Sequence, residues 1–96
     1  MLALRQGNFN VIEAEPGDIK ASFIGSFVTI RPRVKIGAGS EIRNYVFLAE
    51  ACEIGEHTKV MQYANIAMNS KVGDWVFVGQ GALFANTKHI THGRKP

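Results

Sequence analysis

The chain has 96 residues, with 11 Lys and Arg against 8 Asp and Glu, a formal net charge of +3 and a single cysteine. This length suffices for one small domain, and one cysteine excludes an internal disulfide. The basic residues form no stripe interleaved with aromatic residues, which argues against a nucleic-acid partner. No apolar run approaches a membrane span and the N-terminus lacks the length of a signal peptide, so we expect a cytoplasmic protein without membrane contact.

Residues 1–22 show no regular period. Val11-Ile12 can begin a strand and Pro16-Gly17-Asp18 is typical of a turn. One hexapeptide step from Ile12 reaches Asp18, which is not apolar. We interpret this segment as an N-terminal cap, because the open end of a solenoid presents unpaired backbone groups.

Residues 23–87 repeat as hexapeptides. An apolar side chain recurs at every sixth position: Ile24, Ile30, Ile36, Ile42, Leu48, Ile54, Val60, Ile66, Val72, Val78 and Phe84. Four positions after each of these, except the last, stands a small or compact side chain: Val28, Val34, Ser40, Val46, Cys52, Thr58, Ala64, Ser70, Val76 and Ala82. Neither an α-helix nor an ordinary strand has this period, whereas a parallel β-helix does.

A longer period of three hexapeptides supports the same fold. Glycine follows the apolar residue at Gly37, Gly55 and Gly73, where a tight corner favours a residue without a side chain. Three hexapeptides then make one coil, and the sequence predicts an all-β, left-handed parallel β-helix of three to four coils. Residues 88–96 lose the pattern and form a C-terminal tail in this prediction.

The outward positions distinguish the three predicted sheets. The column Lys35, Glu53, Lys71 alternates in charge and indicates a solvated sheet. The sheet through Ile30 and Leu48 has almost no outward charge, and an uncharged flat sheet on so small a domain favours a subunit interface. The residues predicted to form this interface are Phe47, Ala49, Asn65, Ala67, Leu83 and Ala85.

Three aromatic residues, Phe27, Tyr45 and Tyr63, also recur once per predicted coil. Their rings can stack to stabilise the bends, or they can bind a ligand, and the pattern does not decide between the two. His57 stands one coil before Trp75, which favours a structural, ring-stacked or solvated role. Cys52 occupies an inward position and is predicted to fill the core.

These repeats resemble the left-handed parallel β-helix, hexapeptide-repeat acyltransferase superfamily over residues 24–87. The stretch VGDWVFVGQGALFANTK (72–88) is most similar to the nucleotide-sugar N-acetyltransferases, through its two glycines and the Phe84-Ala85-Asn86 triplet. The stretch YVFLAEACEIGEHTKV (45–60) resembles the β-helix domain of bifunctional sugar-phosphate uridylyltransferases. The chain would be a short or truncated member, because such proteins usually continue into further coils.

The resemblance implies a homotrimer that moves an acetyl group from acetyl-CoA to the amino group of a nucleotide-linked sugar. Its substrate-binding positions would be Tyr63, Gln80 and Asn86, and its cofactor-binding positions would be Gly79, Gly81 and Lys88. Tyr63 and Gln80 depart from the residues that relatives place there.

Acetyl transfer requires a group that removes the proton of the attacking amine, and His is the usual choice. His89, directly after the resembling stretch, is the predicted catalytic base. Two alternatives remain open: a non-catalytic, trimeric β-helix that binds or acts as a scaffold, and a zinc protein resembling the γ-class carbonic anhydrases. The zinc protein would need His57 to meet His89 or His92 of another subunit, and we expect no metal.

Overall fold

The structure, a computed structural model, describes residues 5–84. These residues form short parallel strands and one 3₁₀ helix at Pro16–Asp18. The strands are β1 (Arg5–Gln6), β2 (Val11–Ile12), β3 (Phe23–Ile24), β4 (Thr29–Ile30), β5 (Lys35–Ile36), β6 (Glu41–Ile42), β7 (Phe47–Leu48), β8 (Glu53–Ile54), β9 (Lys59–Val60), β10 (Asn65–Ile66), β11 (Lys71–Val72), β12 (Phe77–Val78) and β13 (Leu83–Phe84). No helix within residues 5–84 has the length and apolar character needed to cross a membrane.

The strands assemble into three parallel sheets that form the faces of a solenoid. Sheet A has the order β1-β3-β6-β9-β12, sheet B the order β13-β10-β7-β4-β2, and sheet C the order β11-β8-β5. Each strand pairs with the equivalent strand of the next coil, three hexapeptides along the chain, as Ile42 does with Val60. The predicted all-β class, the parallel solenoid and the coil of three hexapeptides are therefore confirmed.

The core is the column of apolar residues that recur in every hexapeptide. Ile24, Ile42 and Val60 are fully buried, and the remaining members are buried up to Val78. Phe84, the last member, is half-buried and packs against this core. The compact residues four positions later also face inward: Val28, Val34, Ser40, Val46, Cys52, Thr58, Ala64 and Ser70 are buried, and Val76 and Ala82 are partly buried.

Two of the repeated glycines allow successive coils to approach each other closely. A Cβ atom placed on Gly37 would lie 2.6 Å from the carbonyl carbon of Gly55, and one on Gly55 would lie 2.5 Å from that of Gly73. Both distances are far below van der Waals contact, so any side chain would push the coils apart. The predicted reason for these glycines is confirmed at Gly37 and Gly55.

Residues before the repeat also add strands to the solenoid. β1 pairs with β3 in sheet A, and β2 pairs with β4 in sheet B. The 3₁₀ helix follows, and after it Ile19 forms a parallel bridge with Ile36. The paired residues of all the strands are three hexapeptides apart, whereas Ile19 and Ile36 are one residue closer in the chain. This shift places Ile19 rather than Asp18 against the core. The predicted boundaries 1–22, 23–87 and 88–96 stay predictions.

Candidate functional site

Four of the predicted site residues lie at the corner between sheets A and B. Tyr63 is in the turn from β9 to β10, and Gly79, Gln80 and Gly81 are in the turn from β12 to β13, one coil further on. The fold therefore brings these four residues together. The other three, Asn86, Lys88 and His89, lie outside the described residues.

Backbone hydrogen bonds between coils build this corner. The N–H of Tyr63 donates to the carbonyl oxygen of Asn44 at 3.2 Å, and the N–H of Gly81 donates to that of Gln62 at 2.9 Å. One coil earlier, the side-chain oxygen of Asn44 accepts a bond from the N–H of Ser26 at 2.8 Å. The turns are thus held in register, and equivalent positions lie directly above one another.

A column of stacked aromatic rings runs along this corner. Phe9, Phe27, Tyr45 and Tyr63 stack in order, with centroid separations of 5.1, 5.0 and 4.9 Å. Stacking, one of the two roles left open for Phe27, Tyr45 and Tyr63, is therefore observed. Phe9 is a fourth member that was not predicted, although its position three hexapeptides before Phe27 is the signal that identifies it.

The stacked residues share an unusual backbone conformation. Their φ angles are positive: 62° at Phe9, 59° at Phe27, 61° at Tyr45 and 67° at Tyr63. Such a conformation costs roughly 1–2 kcal/mol for a residue with a side chain. Each aromatic stack contributes about 0.5–1.5 kcal/mol beyond the area it buries. Ala51 and Asn69, at another corner and without a stacked ring, also have φ of 61°, so the geometry of the coil imposes this conformation and the stacks add stability to it.

The last coil interrupts the column, because Gly81 occupies the position of a fifth ring. Its φ of 68° matches those of the aromatic residues. A Cβ atom placed on Gly79 or Gly81 would have no neighbour within 4 Å among the described residues. Gln80, between them, is exposed and carries an amide that can both donate and accept hydrogen bonds. This arrangement suits binding of a polar, planar ligand.

His57 and Trp75 lie at a different corner, between sheets C and A. Their ring centroids are 4.4 Å apart, with an angle of 22° between the ring planes. On the other side of the imidazole lies Gly39, where an added Cβ would be 2.5 Å from Nδ1 of His57. The predicted stacking of His57 on Trp75 is confirmed. Residues 5–84 contain no group of three His, Cys, Asp or Glu side chains suited to a metal ion.

Cys52 lies in the core, fully buried. Burial disfavours the thiolate and raises the pKa of the Cys52 thiol to about 12. A nucleophile or metal ligand needs an accessible thiolate, so this residue has neither role at neutral pH. The predicted core position of Cys52 is confirmed.

Sheet B presents the surface predicted to be a subunit interface. Phe47 is exposed over 38% of its surface and Leu83 over 72%, while Asn65 is also exposed. Ala49 and Ala67, on the same face of the sheet, are half-buried. Strand β10 pairs with β7 on one side and with β13 on the other. The outward residues of these strands therefore form one continuous, uncharged surface, called the strip on sheet B below. Ala85, the sixth residue of the predicted interface, lies outside the described residues.

On sheet C, the charge alternation expected from the repeat follows the strand register. Glu53 pairs with Lys35 on one neighbouring strand and with Lys71 on the other. A shallow groove runs along this sheet, with Lys20 and Asp18 at one end. Its mixed charge and alternating signs fit a solvated face rather than a binding site.

No protein-family model, curated protein sequence or solved structure matches the chain.

Proposed function

We propose that this protein transfers an acetyl group from acetyl-CoA to the amino group of a nucleotide-linked sugar. The observation that carries the proposal is the position of the Gly79-Gln80-Gly81 turn one coil above Tyr63. The sequence stretch that resembles nucleotide-sugar N-acetyltransferases thus lies beside an exposed aromatic ring, on a parallel β-helix. An aromatic face next to an amide and two glycines suits the binding of a nucleotide-linked substrate.

The proposed assembly is a homotrimer that packs through the strip on sheet B. Phe47 and Leu83 would lose their exposure to water in this interface, and no charged side chain of the strip would be buried with them. The A/B corner borders sheet B, so a neighbouring subunit would close one side of the site. Small domains of this kind gain stability from such association.

In the proposed reaction, the amine nitrogen of the sugar attacks the thioester carbonyl carbon. A carbon–nitrogen bond forms, the carbon–sulfur bond breaks, and CoA leaves as its thiol after taking up a proton. His89 would remove the proton of the attacking amine. Tyr63, Gln80 and Asn86 would position the sugar substrate, Gly79 and Gly81 would allow close approach of CoA, and Lys88 would pair with its phosphates.

A second candidate function is a non-catalytic trimeric module that binds a ligand or acts as a scaffold. The observation that favours it concerns His57, the one histidine within residues 5–84. It stacks on Trp75 at the corner between sheets C and A, and the corner between sheets A and B holds Tyr63 and Gln80 but no imidazole among the described residues. A scaffold would keep the trimer and the stacked column without binding CoA.

Binding of CoA and turnover distinguish the two candidates. For an acetyltransferase, acetyl-CoA at 100 times its Kd raises stability by about 2.7 kcal/mol, visible as a higher melting temperature. His89→Ala should lower the rate about 10²–10⁴-fold with the melting temperature unchanged. His92→Ala, on the same tail, is the matched control and should keep its activity. Asn86→Ala should weaken binding of the sugar. No stabilisation of the wild type by any CoA ester would reject acetyl transfer and favour the scaffold.

A further inference from the structure

The aromatic column has a regular spacing that identifies a vacant position. Each of four successive coils contributes one ring, and the last two pairs, Phe27–Tyr45 and Tyr45–Tyr63, are parallel to within 2°. Centroid separations of 5.0 and 4.9 Å match the distance between neighbouring parallel strands. The next coil continues with the same backbone turn, and only the ring is missing, because the residue is Gly81.

The absence of this ring leaves one face of Tyr63 uncovered within residues 5–84. Tyr63 is exposed over 62% of its surface, compared with 46% for Tyr45, which has a ring on both sides. An atom added at Cβ of Gly81 meets no described residue. This space, called the slot below, therefore has the ring of Tyr63 beneath it and the exposed residue Gln80 beside it.

We propose that the base of a nucleotide occupies this space and continues the stack on Tyr63. The inference rests on the proposed function and names the part of the ligand that the A/B corner recognises. A nucleobase is planar, so it can lie flat on the ring of Tyr63 in the place of the missing ring, and every base has a π-face that stacks on an aromatic side chain. Its polar edge would face the Gln80 amide. The net charge of +3 favours the phosphate groups that such a ligand carries.

Both substrates of the proposed reaction contain a base: the pyrimidine of the sugar nucleotide and the adenine of CoA. The test therefore uses four probes in NMR titrations: UMP, dTMP, adenosine 3′,5′-bisphosphate, and ribose 5-phosphate, which has no base. We expect at least one nucleotide to bind, with its base protons shifted upfield by the ring of Tyr63, and no such binding by ribose 5-phosphate. The nucleotide that binds identifies which substrate uses the slot.

Variants at Gly81 and Tyr63 locate the binding. Gly81→Tyr fills the slot with a ring, and the backbone accepts it, because Tyr63 has nearly the same φ in the preceding coil. Gly81→Ala is the matched control, since its methyl group leaves the slot open. Gly81→Tyr and Tyr63→Leu should weaken nucleotide binding roughly 5- to 150-fold, the usual range for loss of one base stack. Tyr63→Phe and Gly81→Ala both keep the stack and should weaken nucleotide binding far less than Tyr63→Leu and Gly81→Tyr do.

The results separate this inference from the proposed function. Nucleotide binding that is lost in Gly81→Tyr, in a protein without acetyl transfer, supports the slot and rejects the enzyme. Acetyl transfer in a wild type that binds no nucleotide overturns the slot and leaves the enzyme. Equal nucleotide affinity in the wild type, Gly81→Tyr and Tyr63→Leu also overturns the slot, because the ligand then binds elsewhere.

Discussion

The hydroxyl group of Ser40 lies between its own coil and the next, 3.0 Å from the backbone nitrogen of Thr58. It accepts a hydrogen bond from that N–H and donates one to the carbonyl oxygen of Gly55 at 2.6 Å. Thr58 repeats the arrangement one coil later, with the N–H of Val76 at 3.1 Å and the carbonyl of Gly73 at 2.7 Å. Buried hydroxyl groups thus join backbone groups that the strands leave unpaired at this corner.

Replacement of Thr58 should reveal the contribution of this hydroxyl ladder. Thr58→Val keeps the shape of the side chain but leaves the N–H of Val76 and the carbonyl of Gly73 without these bonds. We expect the free energy of unfolding to fall by about 1–3 kcal/mol, the usual cost of unsatisfied buried polar groups. Urea denaturation measures this change. Thr58→Ser, which retains the hydroxyl, should lose less, and equal losses in the two variants would contradict the proposed role.

Ile54 tests the inward register of the core. Its side chain is 3% exposed, so Ile54→Asp would place an unpaired carboxylate in the narrow interior. We expect this variant not to fold, as measured by circular dichroism and thermal unfolding. Glu53→Ala changes the neighbouring, outward residue and should leave the fold intact. A folded Ile54→Asp variant with wild-type stability would show that the assigned register is wrong.

Cys52 should be unreactive in the folded protein. At mildly alkaline pH its thiol stays protonated, because burial raises its pKa to about 12. Alkylation by iodoacetamide should therefore be slow in native protein and fast in denaturant. Labelling at equal rates in both conditions would contradict the buried position.

The same thiol predicts how stability depends on pH. Its pKa rises from an ordinary value of 9.0 to about 12 in the folded chain. Between these values the unfolded chain loses the proton while the folded chain keeps it. The contribution to stability is therefore complete below the unfolded pKa and is lost as the pH rises towards the folded one. Urea denaturation gives the free energies of unfolding of the wild type and of Cys52→Ala. If the wild type is the more stable of the two, the difference should decrease as the pH rises through that range. A constant difference would contradict the raised pKa.

The subunit interface is tested by adding charge to sheet B. Ala67→Glu would introduce a carboxylate in the middle of the uncharged strip, and its burial in an interface would be unfavourable. We expect the wild type to be a trimer in light-scattering measurements and Ala67→Glu to be monomeric or aggregated. Glu53→Ala on sheet C should keep the assembly of the wild type. A monomeric wild type would reject the proposed trimer.

Much of the fold was predictable because one rule governs every coil. The hexapeptide period fixes which residues face inward, as at Ile54, and the period of three hexapeptides fixes which residues are neighbours, as for His57 and Trp75. The rule failed before Ile24. There the segment with the 3₁₀ helix is one residue longer than a hexapeptide, so Ile19 rather than Asp18 packs against the core. A search for apolar residues at every sixth position therefore misses this coil.

The candidate site was predictable only in part. The period of one coil was sufficient to place Tyr63 beside Gly81. It did not predict that non-glycine residues such as Phe27, Tyr45 and Ala51 would adopt positive φ, because local preference disfavours that conformation and the geometry of the coil corners overrides it. Roles for Asn86, Lys88 and His89 depend on the resemblance alone, because these residues lie outside the described residues.

Every strand pairing in the three sheets joins residues that are three hexapeptides apart in the chain, whether it lies at the beginning or the end of the solenoid. The entropy cost of closing a loop is therefore the same for each added coil and does not grow with the length of the protein. Folding can then begin at any pair of coils and advance one coil at a time, without the long-range closures that slow most all-β proteins. By the same reasoning, deleting three consecutive hexapeptides should shorten the solenoid by one coil and leave the other strand pairings unchanged. Deleting a single hexapeptide would instead move every later strand from its own sheet to a neighbouring one.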